Sequence, residues 1–414
     1  MTAPTEHIDT VVIGAGQAGL VASYHLSRNG VPHVVLERGR VGERWRSERW
    51  DNLHFQFPAS LMRLPGFPYD GDAPDSFVHR DQVVRTLERY AQRITTGVRC
   101  GVAVRRVRSN PDSERRGAAR LLVDLDGHTI GTRNVICATG PYQAPNIPPI
   151  SKDIPPAIMQ LTANRYTNHA QLPPGAVLVV GAGSSGYQIA EDLHDCGRRV
   201  FLSVGRHRRL PRRYRGKDFG HWLEETGAAD MPSADMPRGR PTVLLSGYRG
   251  GDNVDIRWLA QRGVTIVGRL QQANGQTLQF SQDLDAILAG ADQGLEDFKA
   301  IVENYLARNG LLDTAQPPEP LTAPPPLGPT PPALDLAAED IRTVIWSTGY
   351  RFDLGWVELP VKDERGAAQH REGVTAVAGF YFLGLQYQRK FRSAFFWGSD
   401  EDAAFLAGKI AAET

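Results

Sequence analysis

The feature that most constrains this chain is a glycine turn that occurs twice. "VVIGAGQAGLVASYHL" runs from Val11 to Leu26, and "LVVGAGSSGYQIAEDL" runs from Leu178 to Leu193. Each reads as a short apolar strand, a glycine-rich turn and then a helix with apolar residues at helical spacing. In the first, Gly14, Gly16 and Gly19 fit the pattern G-x-G-x-x-G. The first glycine permits the tight turn, the second lets backbone approach a pyrophosphate, and the third lets helix and strand pack closely. The strand "HVVLER" follows and completes a βαβ unit ending in Glu37, 18 residues beyond Gly19. A carboxylate there accepts hydrogen bonds from ribose hydroxyls. Gln17 and Ala18, inside the turn, belong to the same nucleotide site.

The second unit repeats the glycines as Gly181, Gly183 and Gly186, with Ser184, Ser185 and Gln188 as further candidates for nucleotide contact. Its closing strand reads "RVFLSVG", and Ser203, 17 residues past Gly186, takes the place of Glu37. Seven Lys and Arg residues then fall between Arg206 and Lys217. A carboxylate would repel a 2′-phosphate and arginines would bind it. The second site is therefore expected to take NADPH, with Arg206 and Arg209 as its phosphate ligands and Arg206 the best single candidate. The basic run has little aromatic interleaving and no nucleic-acid module around it, so RNA is excluded as its partner.

At 414 residues, the chain is long enough for two domains, and the formal net charge of +1 gives no global field for nucleic acid or an anionic membrane. No apolar run approaches the ~20 residues that span a bilayer, and the polar N-terminal segment lacks a signal layout. Cys100, Cys137 and Cys196 are scattered without a C-x-x-C pair, so a dithiol centre and a zinc site are unsupported and no metal is expected. A reducing cytoplasm is the default compartment. The expected fold class is α/β with two Rossmann-like units, the second inserted into the first: residues 1–150 with 340–414 for the first, 170–335 for the second. Other expected elements are a helix in "RDQVVRTLERYA", strands in "RLLVDL", "RNVICATG", "IRTVIWSTGY" and "GFYFLGL", and a last helix from Ser399. Spacing predicts a helix in "LEDFKAIVENYLARNG" burying Phe298, Ile301, Val302, Tyr305 and Leu306. The nine prolines from Pro317 to Pro332 read as an extended surface connection.

Two such motifs in this order, with "GERWRSERWDNLHFQFP", "ICATG" ending at Gly140 and "WSTGY" ending at Tyr350, resemble the class B flavin-containing monooxygenases. "YFLGL" and "GSDEDAAFLA" resemble the family's C-terminal return to the first domain. The resemblance covers most of the chain and is weakest from about 215 to 335. It implies FAD in the first socket and NADPH in the second. It implies flavin contacts from Arg44 and Trp45, and places Arg38, Val104, Ala138, Thr139, Gly140, Thr348 and Gly349 at the cofactors. It also implies transfer of one oxygen atom of O2, through a C4a-hydroperoxyflavin, to a nitrogen or sulfur of a small molecule. Alternation along Asn52–Phe57 puts Asn52, His54 and Gln56 on one face of an extended segment, as polar groups near the flavin ring, Asn52 and Gln56 being the candidate catalytic pair. Arg392 and Ser393 are further candidates to reach that region.

The chain departs from the family at F-x-G-x-x-x-H-x-x-x-(Y/W). The corresponding stretch "PPAIMQLTANRYTNH" keeps Tyr166 and Asn168 but holds Thr162 where the histidine is expected, which argues against a Baeyer–Villiger enzyme. The alternative to a monooxygenase is an NADPH-dependent flavoprotein reductase serving a quinone or a partner protein. A nucleotide-binding sensor without turnover is the third reading. Substrate identity and homo-oligomerisation stay open.

Overall fold

Val11 and Val12 are fully buried, as β-branched residues are at the centre of a parallel sheet covered on both faces. The computed structural model describes residues 6–94, 97–114, 118–237, 239, 241–320 and 322–413. The N-terminal residues 1–5, part of the polar segment noted above, lie outside them. Strand β1 (Glu6–Ile13) leads through the first glycine turn into α1 (Gln17–Arg28) and β2 (His33–Glu37). Helices α2 (Glu43–Ser47) and α3 (Arg80–Ile94) follow, α3 burying Val83, Val84, Leu87 and Tyr90. Strand β3 (Val98–Cys100) lies parallel to β2; β4 (Arg106–Ser109) and β5 (Leu121–Asp124) form an antiparallel arm on β6 (Thr129–Cys137), which returns parallel to β1.

A second sheet is built wholly from later residues: β7 (Met159–Thr162), β8 (Ala176–Val180), β9 (Val200–Ser203), β10 (Thr265–Val267) and β11 (Ile341–Trp346). Their spatial order is β10-β9-β8-β11-β7, with every pairing parallel. Helix α4 (Ser184–Asp195) joins β8 to β9. Helix α5 (Leu284–Arg308) buries Phe298, Val302 and Leu306, but Ile301 faces solvent. It begins eleven residues before Leu295, because Leu284, Ile287, Leu288 and Ala291 extend the same buried stripe. The described residues of the proline-rich stretch form neither helix nor strand, as chain without amide donors must.

The chain then rejoins the first sheet. Strand β12 (Val357–Glu358) pairs with β4, and β13 (Phe380–Phe382) pairs with β6 over Val135–Cys137. The last helix, α6 (Ser399–Glu413), packs on α1. Strand β11, grouped above with the first unit, pairs with β8 and β7 instead. The second sheet thus spans 159–346, with β11 supplying the pairing between β8 and β7.

Gly186 is where this packing is tightest. A Cβ there would stand 1.8 Å from the Gly181 carbonyl oxygen, and the clash is with backbone. Gly186→Ala is expected to destabilise the protein by at least about 2 kcal/mol, read as a lowered melting temperature. An unchanged melting temperature would contradict this helix–strand contact.

Candidate functional site

The two glycine turns are physically alike. Gly14 has φ +107° and Gly181 has φ +100°, values that favour glycine. A Cβ on either would collide with the end of the neighbouring strand, 2.7 Å from Ala138 O or 2.5 Å from Ser347 O. Gly19 and Gly186 are each fixed by a 1.8 Å approach to the preceding glycine's carbonyl oxygen. The middle glycines differ from these. A Cβ on Gly16 would meet nothing within 4 Å, and one on Gly183 only Thr242 Cγ2 at 4.0 Å. Gly16 and Gly183 also N-cap α1 and α4 without a side-chain cap, and neither first turn carries an acid. Each turn therefore leaves an open cradle under the positive end of a helix, which suits a phosphate.

The turns differ at the next strand. Glu37 accepts from the Ala15 N–H at 2.9 Å and the Gly39 N–H at 2.8 Å, so its carboxylate is held against the first cradle. In the second unit, Gly181 N–H bonds Ser203 O as Gly14 N–H bonds Leu36 O. Register pairs Val180 with Ser203 and Ile13 with Leu36. The position matching Glu37 is therefore the buried Val204; assigning it to Ser203 was one residue short. Ser203 instead donates to Gly268 O at 2.9 Å and accepts from Leu270 N–H at 3.1 Å, tying β9 to the chain after β10.

The structure sorts the basic run into different uses. Arg206 is exposed, on the rim of a cavity of about 760 Å³ that also takes in Pro237, Gly239, Pro241, Asp283 and Gly290. Arg209 is turned inward, 2.8 Å from both Asp255 and Asp292, which Arg257 also bridges. Arg213 donates to the Gly250 and Gly251 carbonyls, Arg215 pairs with Glu303 and Lys217 with Glu225. Burial pushes the His207 imidazole down, favouring its neutral form. Of the two expected phosphate ligands, the structure presents Arg206 to solvent and commits Arg209 to carboxylates. Ser184 and Gln188 are likewise engaged with protein: Ser184 donates to Val243 O and accepts from Leu245 N–H, and Gln188 donates to Leu245 O. Ser185 is half-buried.

Asn52, His54 and Gln56 are half-buried and alternate with buried Leu53, Phe55 and Phe57. The segment is pinned by Phe55 N–H to Val78 O and Arg80 N–H to Leu53 O. Burial lowers the His54 pKa. Trp45 meets Phe55 and Phe396 in an aromatic cluster, which Phe57 extends to Phe395 and Trp397. The linker before β8 reaches the same place: Tyr166 donates to Asp192 at 2.6 Å, Asp192 bonds Asn52, and Asn168 donates to Asp51 at 2.6 Å. Asn52 thus sits where the two units meet. Spacing gave no sign of Asp192, which lies on α4 at a position read only as helix.

Ala138 N–H bonds Ile13 O, Gln143 bonds Thr139, and Gly140 and Gly349 adopt positive φ; Thr348 donates to Asn146 O. Val104 is half-buried in the loop after β3, whose Val102 N–H bonds Glu37 O. Arg38 and Arg44 flank Glu48 at 3.5 and 3.7 Å. Gln17 donates to Ala394 O at 2.8 Å, and Ala18 lies under Gly384, fastening the C-terminal segment to the first turn. Arg392 pairs with Glu401 of the same segment and with Asp230 from the chain between β9 and β10, and Ser393 accepts from the Arg389 and Lys390 N–H groups, so both are committed to protein partners. Five buried polar atoms there have no hydrogen-bond partner among the described residues: Gln388 Nε2, Arg389 Nε, Trp397 Nε1, Ser399 Oγ and Asp402 Oδ2. Buried polar groups are rarely left so, and the segment that carries them is tied to the first turn through Ala394 O. Among the described residues no cluster of His, Cys, Asp and Glu could hold a metal, and no helix is long and apolar enough to cross a membrane.

Comparison with known proteins agrees with this geometry. The family model described as pyridine nucleotide-disulphide oxidoreductase matches residues 11–225. An oxidoreductase named CzcO-like from Geobacillus kaustophilus is 29% identical over 407 residues, covering 97% of this chain and 98% of its own. Indole-3-pyruvate monooxygenase YUCCA1 of Oryza sativa is 31% identical over 184 residues, 44% of each chain. A flavin-containing monooxygenase from Stenotrophomonas maltophilia shares the fold with a TM-score of 0.67 at 21% identity, covering 99% of both chains.

Two measurements check the site as described. Arg209→Ala removes an ion pair from the buried Asp255 and a hydrogen bond from Asp292 and is expected to cost about 1.5–3 kcal/mol in urea unfolding, whereas Arg206→Ala leaves stability unchanged; equal effects would contradict the sorting. Burial raises the Asp402 carboxyl to about 6. A raised folded-state value means stability present below about pH 4 and lost as pH rises through about 6. At 1.36 kcal/mol per unit, that loss is about 3 kcal/mol. Asp402→Asn should abolish this part of the pH dependence; an identical profile would contradict it.

Proposed function

This chain belongs to the pyridine nucleotide-disulphide oxidoreductase family, and from that premise we propose that it is an NADPH-dependent flavoprotein monooxygenase. It would transfer one oxygen atom of O2 to a soft nitrogen or sulfur of a small molecule. FAD would occupy the first socket and NADPH the second, within an inserted unit spanning 159–346. The observation that carries this reading is the matched pair of open cradles closed by Glu37 in one unit and by Val204 and exposed Arg206 in the other.

Both sockets fit their groups. Gly16 and Gly183 leave room for a pyrophosphate, Glu37 keeps lone pairs for ribose hydroxyls, and the segment 388–402, which carries unpartnered buried polar atoms, is tied to the first turn by Gln17. When bound, FAD supplies hydride acceptance and oxygen activation. The protein's own part is binding, orientation and exclusion of water. Trp45, Phe55, Phe57, Phe396 and Trp397 form a dry wall, which strengthens every polar contact behind it. Asn52 and Gln56 present amides at the junction of the two units. Asn52 is oriented by Asp192 and Tyr166.

A dithiol relay is not supported despite the family's name. The three cysteines are free, and burial pushes the Cys137 thiol up to about 11, far from a reactive thiolate. The rice relative, whose name states oxygenation, supports the monooxygenase reading over the reductase alternative.

Arg206→Ala is expected to raise KM for NADPH about 10- to 100-fold, the equivalent of one lost hydrogen bond to a charged group, and to leave KM for NADH nearly unchanged. Equal effects on both would refute the 2′-phosphate role. Oxygen transfer is tested with FAD-loaded protein, NADPH, 18O2 and a panel of tertiary amines and thioethers. Labelled N- or S-oxide is expected. Peroxide alone, with no labelled product across the panel, would overturn the reading.

A further inference from the structure

One cation of the basic run serves neither socket. Arg212 is 2% exposed, the deepest of the run. Its Nε and Nη2 donate to the two oxygens of buried Asp218 at 2.6 and 2.9 Å, and its guanidinium lies 4.3 Å from the centre of the Phe77 ring. Its own N–H donates to Asn253 at 2.6 Å and its carbonyl accepts from Phe219 N–H at 2.8 Å. Asp218 also caps the helix Phe219–Glu225 through Gly220 N–H at 2.7 Å. A buried ion pair costs several kcal/mol per ion to desolvate, and replacing it by apolar residues is often neutral or better. Stability alone is therefore a weak reason for it.

Its third guanidinium nitrogen, Nη1, reaches across to the first unit. Arg212 Nη1 donates to the carbonyl oxygen of Gln56 at 2.7 Å. Flanking residues are anchored within the first unit, through Phe55 N–H to Val78 O and Ala59 N–H to Ser76 O. Between those anchors, Gln56 is held from the second unit. Other parts of that unit also press on the segment and its neighbours: a Cβ on Gly247 would stand 2.1 Å from Phe55 O, and one on Gly220, in the helix Phe219–Glu225, would stand 2.6 Å from Leu61 and 3.0 Å from Phe57.

We propose that Arg212 and Asp218 are positioning residues: from the nucleotide-binding insert they set the backbone, and hence the side-chain amide, of Gln56. The inference rests on the reading above in taking Gln56 as a group beside the flavin. The bidentate grip on Asp218 through Nε and Nη2 fixes the plane of the guanidinium and hence the direction of Nη1, a geometry that guanidinium has and ammonium lacks. The position of the insert is thereby transmitted to the first unit's polar segment through one hydrogen bond.

The test uses FAD-loaded Arg212→Lys, Asp218→Asn and Gly247→Ala, the last displacing the Phe55 carbonyl without removing a charge. Readouts are the visible circular dichroism of bound FAD, product formed per NADPH consumed, and kcat and KM for NADPH. Each variant that folds is expected to alter the flavin dichroism. Each should also divert NADPH to peroxide and lower the oxygenation kcat about 100-fold, the cost of a roughly 1 Å misplacement, with KM for NADPH unchanged. Gly247→Ala keeps the test open should the charge variants fail to fold. Unaltered dichroism and coupling in the folded variants would overturn the proposal, as would a rise in KM with kcat intact. If the wild-type protein yields no labelled product, the monooxygenase reading fails, and the dichroism still reports whether Arg212 sets Gln56.

Discussion

Helix α1 lies so close to β1 that a Cβ on Gly19 would overlap the carbonyl oxygen of Gly14, and α4 stands in the same relation to β8 through Gly186 and Gly181. Much of the site follows from this approach. It brings each helix N-terminus over the end of its sheet, where the free N–H groups and the dipole make an anion site. It also brings the strand ends at Ala138 and Ser347 against Gly14 and Gly181, so the segments after β6 and β11 leave beside the two cradles and join the units there.

From that shared geometry, selectivity is a matter of one position and its neighbours. Glu37 turns its carboxylate back onto the first cradle, fitting it to ribose hydroxyls and setting it against a further phosphate. In the second unit an apolar side chain replaces it and an exposed guanidinium follows two residues later. Coulomb attraction and the guanidinium fork both favour a phosphate there. The segments between the sockets are built from aromatic packing and cross-unit hydrogen bonds, so the polar face of Asn52, His54 and Gln56 is held from both sides.

The parts legible in the sequence were those governed by short-range rules. Glycine spacing, apolar strand runs and the alternation from Asn52 to Phe57 all reappear in the structure, because each reflects steric or periodic demands within a few residues. The sheet membership of β11 and the one-residue shift from Ser203 to Val204 have another origin. Strand partnership and register are settled by pairing across the sheet, as Val180 opposite Ser203 and Ile345 opposite Val179 make plain. The basic run shows the same limit. Its composition suggested phosphate ligands at Arg206 and Arg209, yet Arg209 meets Asp255 and Asp292 and the neighbouring Arg212 meets Asp218, and the long-range pairings of Arg209 have no local signature. Nor could spacing reveal that Asp402, at the start of α6, is buried rather than solvated.

The central claim is that one chain holds two dinucleotides at once in sockets of different selectivity. Calorimetric titration of the FAD-loaded protein with NADP+ and with NAD+ tests it most directly. The account predicts one NADP+ bound per chain, far more tightly than NAD+, with FAD retained throughout. Displacement of FAD by NADP+, or equal affinity for the two nucleotides, would contradict it.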